Sequence, residues 1–280
     1  MTAQDLKPIL NPTLQLLVSS PINPIPDDTR LKERLAALDP SCQPTDIQMA
    51  WQQRNPHQIA GTLNYGKHLI QIASFSTPLS STVIHQSVSP SPWQPQVKAA
   101  MRHHRAHLDL VYQGNHHDPI ERMIALYQVA HVFENENLLG IANPQAWTAH
   151  PPADFLSEEK ISSFRQEFPF MLWIGYVKFF VDKERYWFTT KGHHIFDVPD
   201  LAYFVKSEED LPGIKNIFAN IFYYLYEKDV VVTVGDTLEI KGGKQNLQFA
   251  KIPEDTDYLM GPSGTLAIEL ISHEDNAIED

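Results

Sequence analysis

The chain has 280 residues, 42% of them hydrophobic, and its 34 acidic side chains outweigh 22 basic ones for a formal charge of −12. That length holds one large domain or two of ordinary size, with enough apolar residues for a sizeable core. The acidic balance argues against unaided binding to nucleic acid or to an anionic membrane, which need clustered Lys and Arg. The single cysteine, Cys42, excludes an intrachain disulfide and a Cys-based zinc site.

Met1 to about Thr13 is polar and expected to be loose, and Met1 to Pro12 lacks the basic and apolar regions of a signal peptide. Leu14 to Ser19 reads as a strand. Pro21, Pro24 and Pro26 stiffen the next connector. Asp27 or Asp28 is placed to cap a helix to about Leu38, with Leu31, Leu35 and Leu38 at helical spacing. Cys42 falls in the turn after it. Ile47–Gln53, Ile59–Tyr65 and Leu69–Phe75 read as strands, the last two joined by a turn at Tyr65–His68. A short helix near Ser80–Gln86, a Pro- and Ser-rich connector over Ser87–Pro95, a helix over Gln96–Arg105 and a strand over Ala106–Gln113 follow. Asp118-Pro119 supplies an N-cap and a first-turn proline for an amphipathic helix to about Glu134. Leu138–Ile141 is a brief strand.

Asn143–Ala153 is proline-containing and reads as irregular, and Ser157 is placed to cap the next helix. Phe170–Val181 predicts a long strand that pairs with Tyr186–Thr190 across Asp182–Glu184. Leu201–Val205 is a further strand. Pro212–Tyr226 predicts a very apolar helix with Ile214, Ile217, Phe218, Ile221, Phe222 and Leu225 on its buried face. Val230–Val234, Leu238–Ile240, Gln248–Ile252 and Leu266–Ile271 complete the strands, with a hairpin turn at Lys241–Lys244 and an acidic tail from Ser272. The most hydrophobic stretch, Phe168–Val181, contains Lys178 and falls short of the ~20 residues a membrane span needs. A cytoplasmic protein is the simplest reading.

Hairpins outnumber βαβ patterns, so the fold class is α+β, with mixed, mainly antiparallel sheets and helices packed on them. The order of elements suggests two similar fused α/β halves: a loose segment 1–13, an N-terminal half 14–142, a C-terminal half 143–271 and an acidic tail 272–280.

Several short motifs lie in the C-terminal half: Thr190-Lys191-Gly192, then Phe196, then Pro199-Asp200 leading into Leu201. Asn220-Ile221-Phe222-Tyr223-Tyr224-Leu225, Gly235-Asp236-Thr237 and a closing strand near Leu266–Leu270 follow. Together they resemble the bacterial domain-of-unknown-function family 4261 (DUF4261). The likeness reaches the N-terminal half through the strand from Leu14 and the strand over His107–Val111. That resemblance implies a fold and carries no chemistry with it.

Thirteen histidines invite a metal reading. His103 and His107 stand four apart, the spacing that places two imidazoles on one helix face, and His116-His117 follow. Ala106–Gln113 reads as strand, however, and would separate His103 from His116 by ~25 Å. No glutamate stands beside His103 to act as a base. A second cluster, Lys191 with His193 and His194, has Lys178 and Trp187 on strands predicted to pair nearby. Such a cationic, aromatic patch could hold a carboxylate or phosphate. The plainer reading makes Lys191-Gly192 a turn and leaves half of these side chains in solvent. Gly261-Pro262-Ser263-Gly264 lacks the ending and the following helix of a phosphate loop. No Gly-x-Ser-x-Gly elbow or dinucleotide fingerprint occurs, so no catalytic residue and no cofactor is expected.

Apolar residues are thus expected to build the core, and ionisable groups to be dispersed and wet. The leading functional expectation is a non-enzymatic protein-interaction module, such as an adaptor, regulator or immunity-like binder. Its expected partner is another protein, with no nucleic acid and no membrane, and a homo-oligomer is compatible. The alternatives are a small-ligand or anion-binding protein or enzyme using Lys191, His193 and His194, and a histidine metal protein.

Overall fold

The computed structural model describes residues 11–21, 27–39, 42–55, 58–153, 155–206, 211–239 and 245–272. The protein is α+β and divides into two units, Met1–Trp173 and Ile174–Asp280. Among the described residues no helix is long and apolar enough to cross a membrane.

The first unit is a seven-stranded sheet of order β2-β3-β4-β5-β1-β6-β7. Its strands are β1 (Thr13–Val18), β2 (Gln48–Asn55), β3 (Gln58–Tyr65), β4 (His68–Phe75), β5 (Ala106–Tyr112), β6 (Leu138–Asn143) and β7 (Thr148–His150). Every neighbouring pair is antiparallel. Its helices are α1 (Asp28–Leu38), α2 (Ser81–Val88), α3 (Pro95–Arg102), α4 (Pro119–Val132), α5 (Glu158–Ser163) and α6 (Phe170–Trp173). Central β1 buries Leu14, Leu16, Leu17 and Val18, because helices lie on both faces. Residues directly opposite in register share a face, so Leu14 with Leu110, and Leu16 with Leu108 and Ile141, form one side. There the Tyr65 hydroxyl donates toward Ala125 O and Gln128 Oε1 of α4, 3.1 and 3.0 Å away. On the other side Leu17 and Ala142 pack with Ile84, Val88 and Met101 of α2 and α3.

The three helix caps expected from sequence form. Asp27 Oδ1 accepts from Thr29 N–H at 2.9 Å, Asp118 Oδ1 from Ile120 N–H at 2.8 Å, and Ser157 Oγ from Lys160 N–H at 3.3 Å. Helix α4 departs from simple amphipathicity: every residue from Met123 to Val132 is buried, because α1 and α5 cover the side turned away from the sheet. The stretch read as irregular, Asn143–Ala153, contains β7, which pairs with β6 after a turn that holds Trp147 at φ 53°. The division between units falls after Trp173 rather than at 142/143. Strand β7 closes the first sheet, α5 packs on α4, and the Trp173 ring stands 6.2 Å from Tyr127 and 5.6 Å from Phe164.

The second unit has β8 (Gly175–Phe180), β9 (Tyr186–Lys191), β10 (Asp200–Val205), α7 (Leu211–Lys228), β11 (Thr237–Glu239), β12 (Gln245–Lys251) and β13 (Thr265–Ser272). The six-stranded order is β11-β12-β13-β10-β9-β8, with β10 parallel to β13 and the other pairs antiparallel. Helix α7 buries Ile214, Phe218, Ile221, Phe222 and Leu225, and Phe218 stacks on Phe188 of β9 at 5.8 Å. Two expected strands differ. Phe170–Trp173 is a single helical turn started by Pro169, whose carbonyl accepts from Leu172 and Trp173 N–H, so β8 begins only at Gly175. Val230–Val234 forms no strand despite its β-branched residues; among the described residues it gains no pairing strand, and Val231 and Val234 are exposed. The expected turn at Gly235 forms with φ 98°, and Asp236 Oδ2 accepts from Thr233 N–H at 2.7 Å. The turn expected at Lys241–Lys244, residues 1–10 of the loose N-terminal segment and residues 273–280 of the tail lie outside the described residues.

Candidate functional site

A buried set of ionisable side chains lies in the second unit, where β9 ends and β10 begins. Gly192, at φ 107°, turns the chain out of β9; a 3₁₀ turn over His193–Phe196 and Asp197 at φ 59° lead it back. Both members of the parallel pair, β10 and β13, start here, and Asp200 N–H donates to Gly264 O at 3.1 Å. This geometry overturns the expectation of dispersed, wet ionisable groups at this corner. Lys191 is 5% exposed, Asp200 1% and His193 0%.

Asp200 is the hub. Its Oδ1 accepts from His193 N–H at 3.2 Å and from the Thr190 hydroxyl at 3.4 Å, while Thr190 Oγ1 accepts from Leu201 N–H at 2.8 Å. Its Oδ2 is buried without a hydrogen-bond partner among the described residues and faces Gly261. A Cβ at Gly261 would collide with that oxygen and lie 3.0 Å from Asp200 Cγ, so this glycine is required by close approach. Burial pushes the Asp200 carboxyl up to about 7, against the opposing pull of the Lys191 charge and of the hydrogen bonds from His193 and Thr190. The carboxyl is therefore poised to carry a proton on the Gly261 side near neutral pH.

Lys191 Nζ donates to Leu259 O at 2.7 Å and lies 5.9 Å from the Phe179 ring. Burial lowers its pKa, and the Asp200 charge acts in the opposite sense. Leu259 O also accepts from the Thr265 hydroxyl at 2.8 Å, whose oxygen accepts from Gly261 N–H at 2.9 Å. The 259–265 turn is thus stitched to the ends of β9 and β10. His193 Nδ1 stands 2.9 Å from Pro199 O, which places the ring proton on Nδ1. Its ring packs 5.0 Å from Phe222. Burial holds His193 and His194 down at about 4; the Pro199 carbonyl opposes this for His193, and the Lys191 charge reinforces it for His194. Both rings are neutral at pH 7. Chemically, the corner combines a cation spent on backbone carbonyls, two neutral imidazoles and one carboxyl able to exchange a proton near neutrality.

The pleat separates the residues that sequence grouped together. Trp187 lies opposite Phe179 and Phe204, on the face that carries Lys191. Lys178 lies opposite Phe188, on the α7 face, exposed, with Nζ 4.6 Å from the Tyr186 ring centroid. The Trp187 face bears a row of half-buried aromatics, Phe179, Trp187 and Phe204, of which Phe179 and Trp187 pack over the buried residues Ala202, Ile252, Leu259 and Ala267. Trp187 and Phe204 are 5.2 Å apart and Phe179 and Tyr258 5.1 Å apart. Tyr258, 45% exposed, extends the row through Phe179, and Met260, two residues on in the same turn, is 51% exposed.

The histidines of the metal reading are spread along the first unit. His103 is exposed and caps the C-terminus of α3. His107 lies in β5, its Nδ1 2.7 Å from Thr77 O. His116 follows β5 and stacks between His68, at 5.5 Å, and His117, at 4.9 Å. Among the described residues no three His, Cys, Asp or Glu side chains converge in a way that could hold a metal. Asp200 and Gly261 were not singled out by sequence reasoning as site residues. The available signal was an aspartate held between Pro199 and an apolar strand. No family model, curated protein or solved structure matches the chain.

Proposed function

We propose that this chain is a non-enzymatic protein-interaction module, an adaptor, regulator or immunity-like binder acting in the cytoplasm, which docks a partner protein on the aromatic face of its second unit. The observation that carries this reading is the row of half-buried Phe179, Trp187 and Phe204 on one sheet face, continued by exposed Tyr258 against Phe179, with exposed Met260 two residues further along the same turn. Aromatic and Met side chains of this kind are enriched at the centres of protein interfaces. The ionisable corner fits as its support: Lys191 and Thr265 fix the carbonyl of Leu259, the buried residue between exposed Tyr258 and Met260 in sequence, and so hold that segment in one geometry before binding. The motifs that carry the DUF4261 resemblance include Thr190–Gly192 and Pro199–Leu201, residues of this corner, and membership of that family is part of the proposal. Small-ligand or anion binding by Lys191 is the weaker reading, because its ammonium donates to Leu259 O.

The test is photocrosslinking in the native cell with p-benzoylphenylalanine replacing Tyr258, and separately replacing Tyr224, an exposed residue of α7. One abundant crosslinked protein from position 258 and none from 224 is expected. No product from 258, or the same product from both, would overturn the reading.

A further inference from the structure

We propose a second, independent site: a groove on the first unit that binds a small amphiphilic monoanion, a carboxylate or phosphomonoester attached to an apolar body. The groove has a volume of about 540 Å³ and lies between the start of α2 and the end of α3. Leu79 and Ile84 give it an apolar floor; Ser81, His85, Arg102 and His104 give it polar walls. That volume is in the range of small-molecule sites, which combine an apolar lining with a few placed polar groups.

Charge selects the ligand. The chain as a whole carries −12, yet Ile47 to Leu108 contains no Asp or Glu and includes Arg54, Lys67, Lys98, Arg102 and Arg105. The groove opens within that acid-free stretch, so no neighbour in sequence competes with a bound anion for Arg102. Arg102 and His85 are exposed at its rim, each within hydrogen-bond distance of the Ser89 hydroxyl, at 3.2 and 3.1 Å. The positive end of the α2 dipole lies at Ser81 and favours negative charge on the same side. A guanidinium is the side chain best shaped to grip a carboxylate or phosphate.

Two histidines hold the rim ready. His104 Nε2 accepts from Leu79 N–H at 2.8 Å, and its Nδ1 stands 2.9 Å from Met101 O, which fixes a neutral tautomer with the proton on Nδ1. Burial lowers its pKa and keeps it in that form. His107 Nδ1 donates to Thr77 O and its ring stacks on Phe75 at 4.8 Å. The 77–79 segment is thereby clamped at both ends, so a ligand meets a wall already in place.

Calorimetric titration of the full chain with decanoate, decyl phosphate and decanol tests the site. Saturable binding of at least one anion, tighter than decanol, is expected, and the stronger of the two names the headgroup. Arg102→Gln should weaken that binding by roughly tenfold or more, the loss of a charge-assisted contact. Lys67→Gln, which removes a charge from the same acid-free stretch outside the groove, should leave it unchanged. Decanol binding as tightly as the anions, equal losses in the two variants, or no saturable binding of either anion would each overturn the proposal. So would binding of an acidic peptide by a protein that ignores both anions.

Discussion

Replacing Asp200 by Asn tests the corner through its dependence on pH. The carboxyl is 1% exposed and raised from 3.8 to about 7 in the folded chain. Between those values the folded state holds a proton that the unfolded state has lost, so stability falls as pH rises. The favourable contribution is complete only below the unfolded value and is lost through the folded one. At about 1.4 kcal/mol per unit, a shift of roughly three units costs the ionised form about 4 kcal/mol at high pH, and about 2–3 kcal/mol of that develops between pH 5 and pH 8. Asn mimics the protonated acid: its Oδ1 can still accept from Thr190 and His193 N–H, and its amide occupies the Gly261 side. Urea unfolding of both proteins across that range is the assay, and taking their difference removes the titrations they share. The variant should gain on the wild type by about 2–3 kcal/mol as pH rises. Parallel curves would refute the burial and protonation assigned to Asp200.

Gly261→Ala should cost about 1–3 kcal/mol, read as a lower melting temperature, because the new methyl group collides with the Asp200 carboxyl. Lys191→Met removes the donor to Leu259 O and should cost about 1–3 kcal/mol, with faster hydrogen exchange across residues 256–262 and unchanged exchange in the first unit. His150, His193 and His194 are each held down at about 4 from 6.5, in every case chiefly by burial. The unfolded chain therefore takes up protons that the folded chain refuses, and unfolding free energy should fall as pH drops from 6.5 toward 4, by urea titration.

Local chemistry made much of the fold legible. Asp27, Asp118 and Ser157 cap their helices because one side chain reaches one nearby backbone N–H, and the apolar spacing of α7 needs only a period. What depends on distant elements was not legible. The burial of α4 on all sides requires α1 and α5, and the three-residue β7 exists only because β6 pairs with it. Phe170–Trp173 and Val230–Val234 have strand-like composition, but Pro169 starts a helical turn in the first and the second has no pairing strand among the described residues. The site divides along the same line. Lys191, His193 and His194 stood out because they adjoin in sequence. Asp200 and Gly261 meet only once β10 and β13 run parallel, and Lys178 parts from Trp187 by a pleat whose register the sequence does not print. The burial of the corner was missed because composition counts charges and does not locate them.

Affinity capture with mass spectrometry at native expression, comparing the wild type with a Tyr258→Ser, Met260→Ser double variant, tests the docking face most directly. Both side chains are about half in solvent and neither belongs to the buried core, so the variant should still fold, with a melting temperature close to that of the wild type. The wild type is expected to retain one stoichiometric partner that the variant loses. A partner held equally by both proteins, or no stoichiometric partner on the wild type, would contradict the assignment.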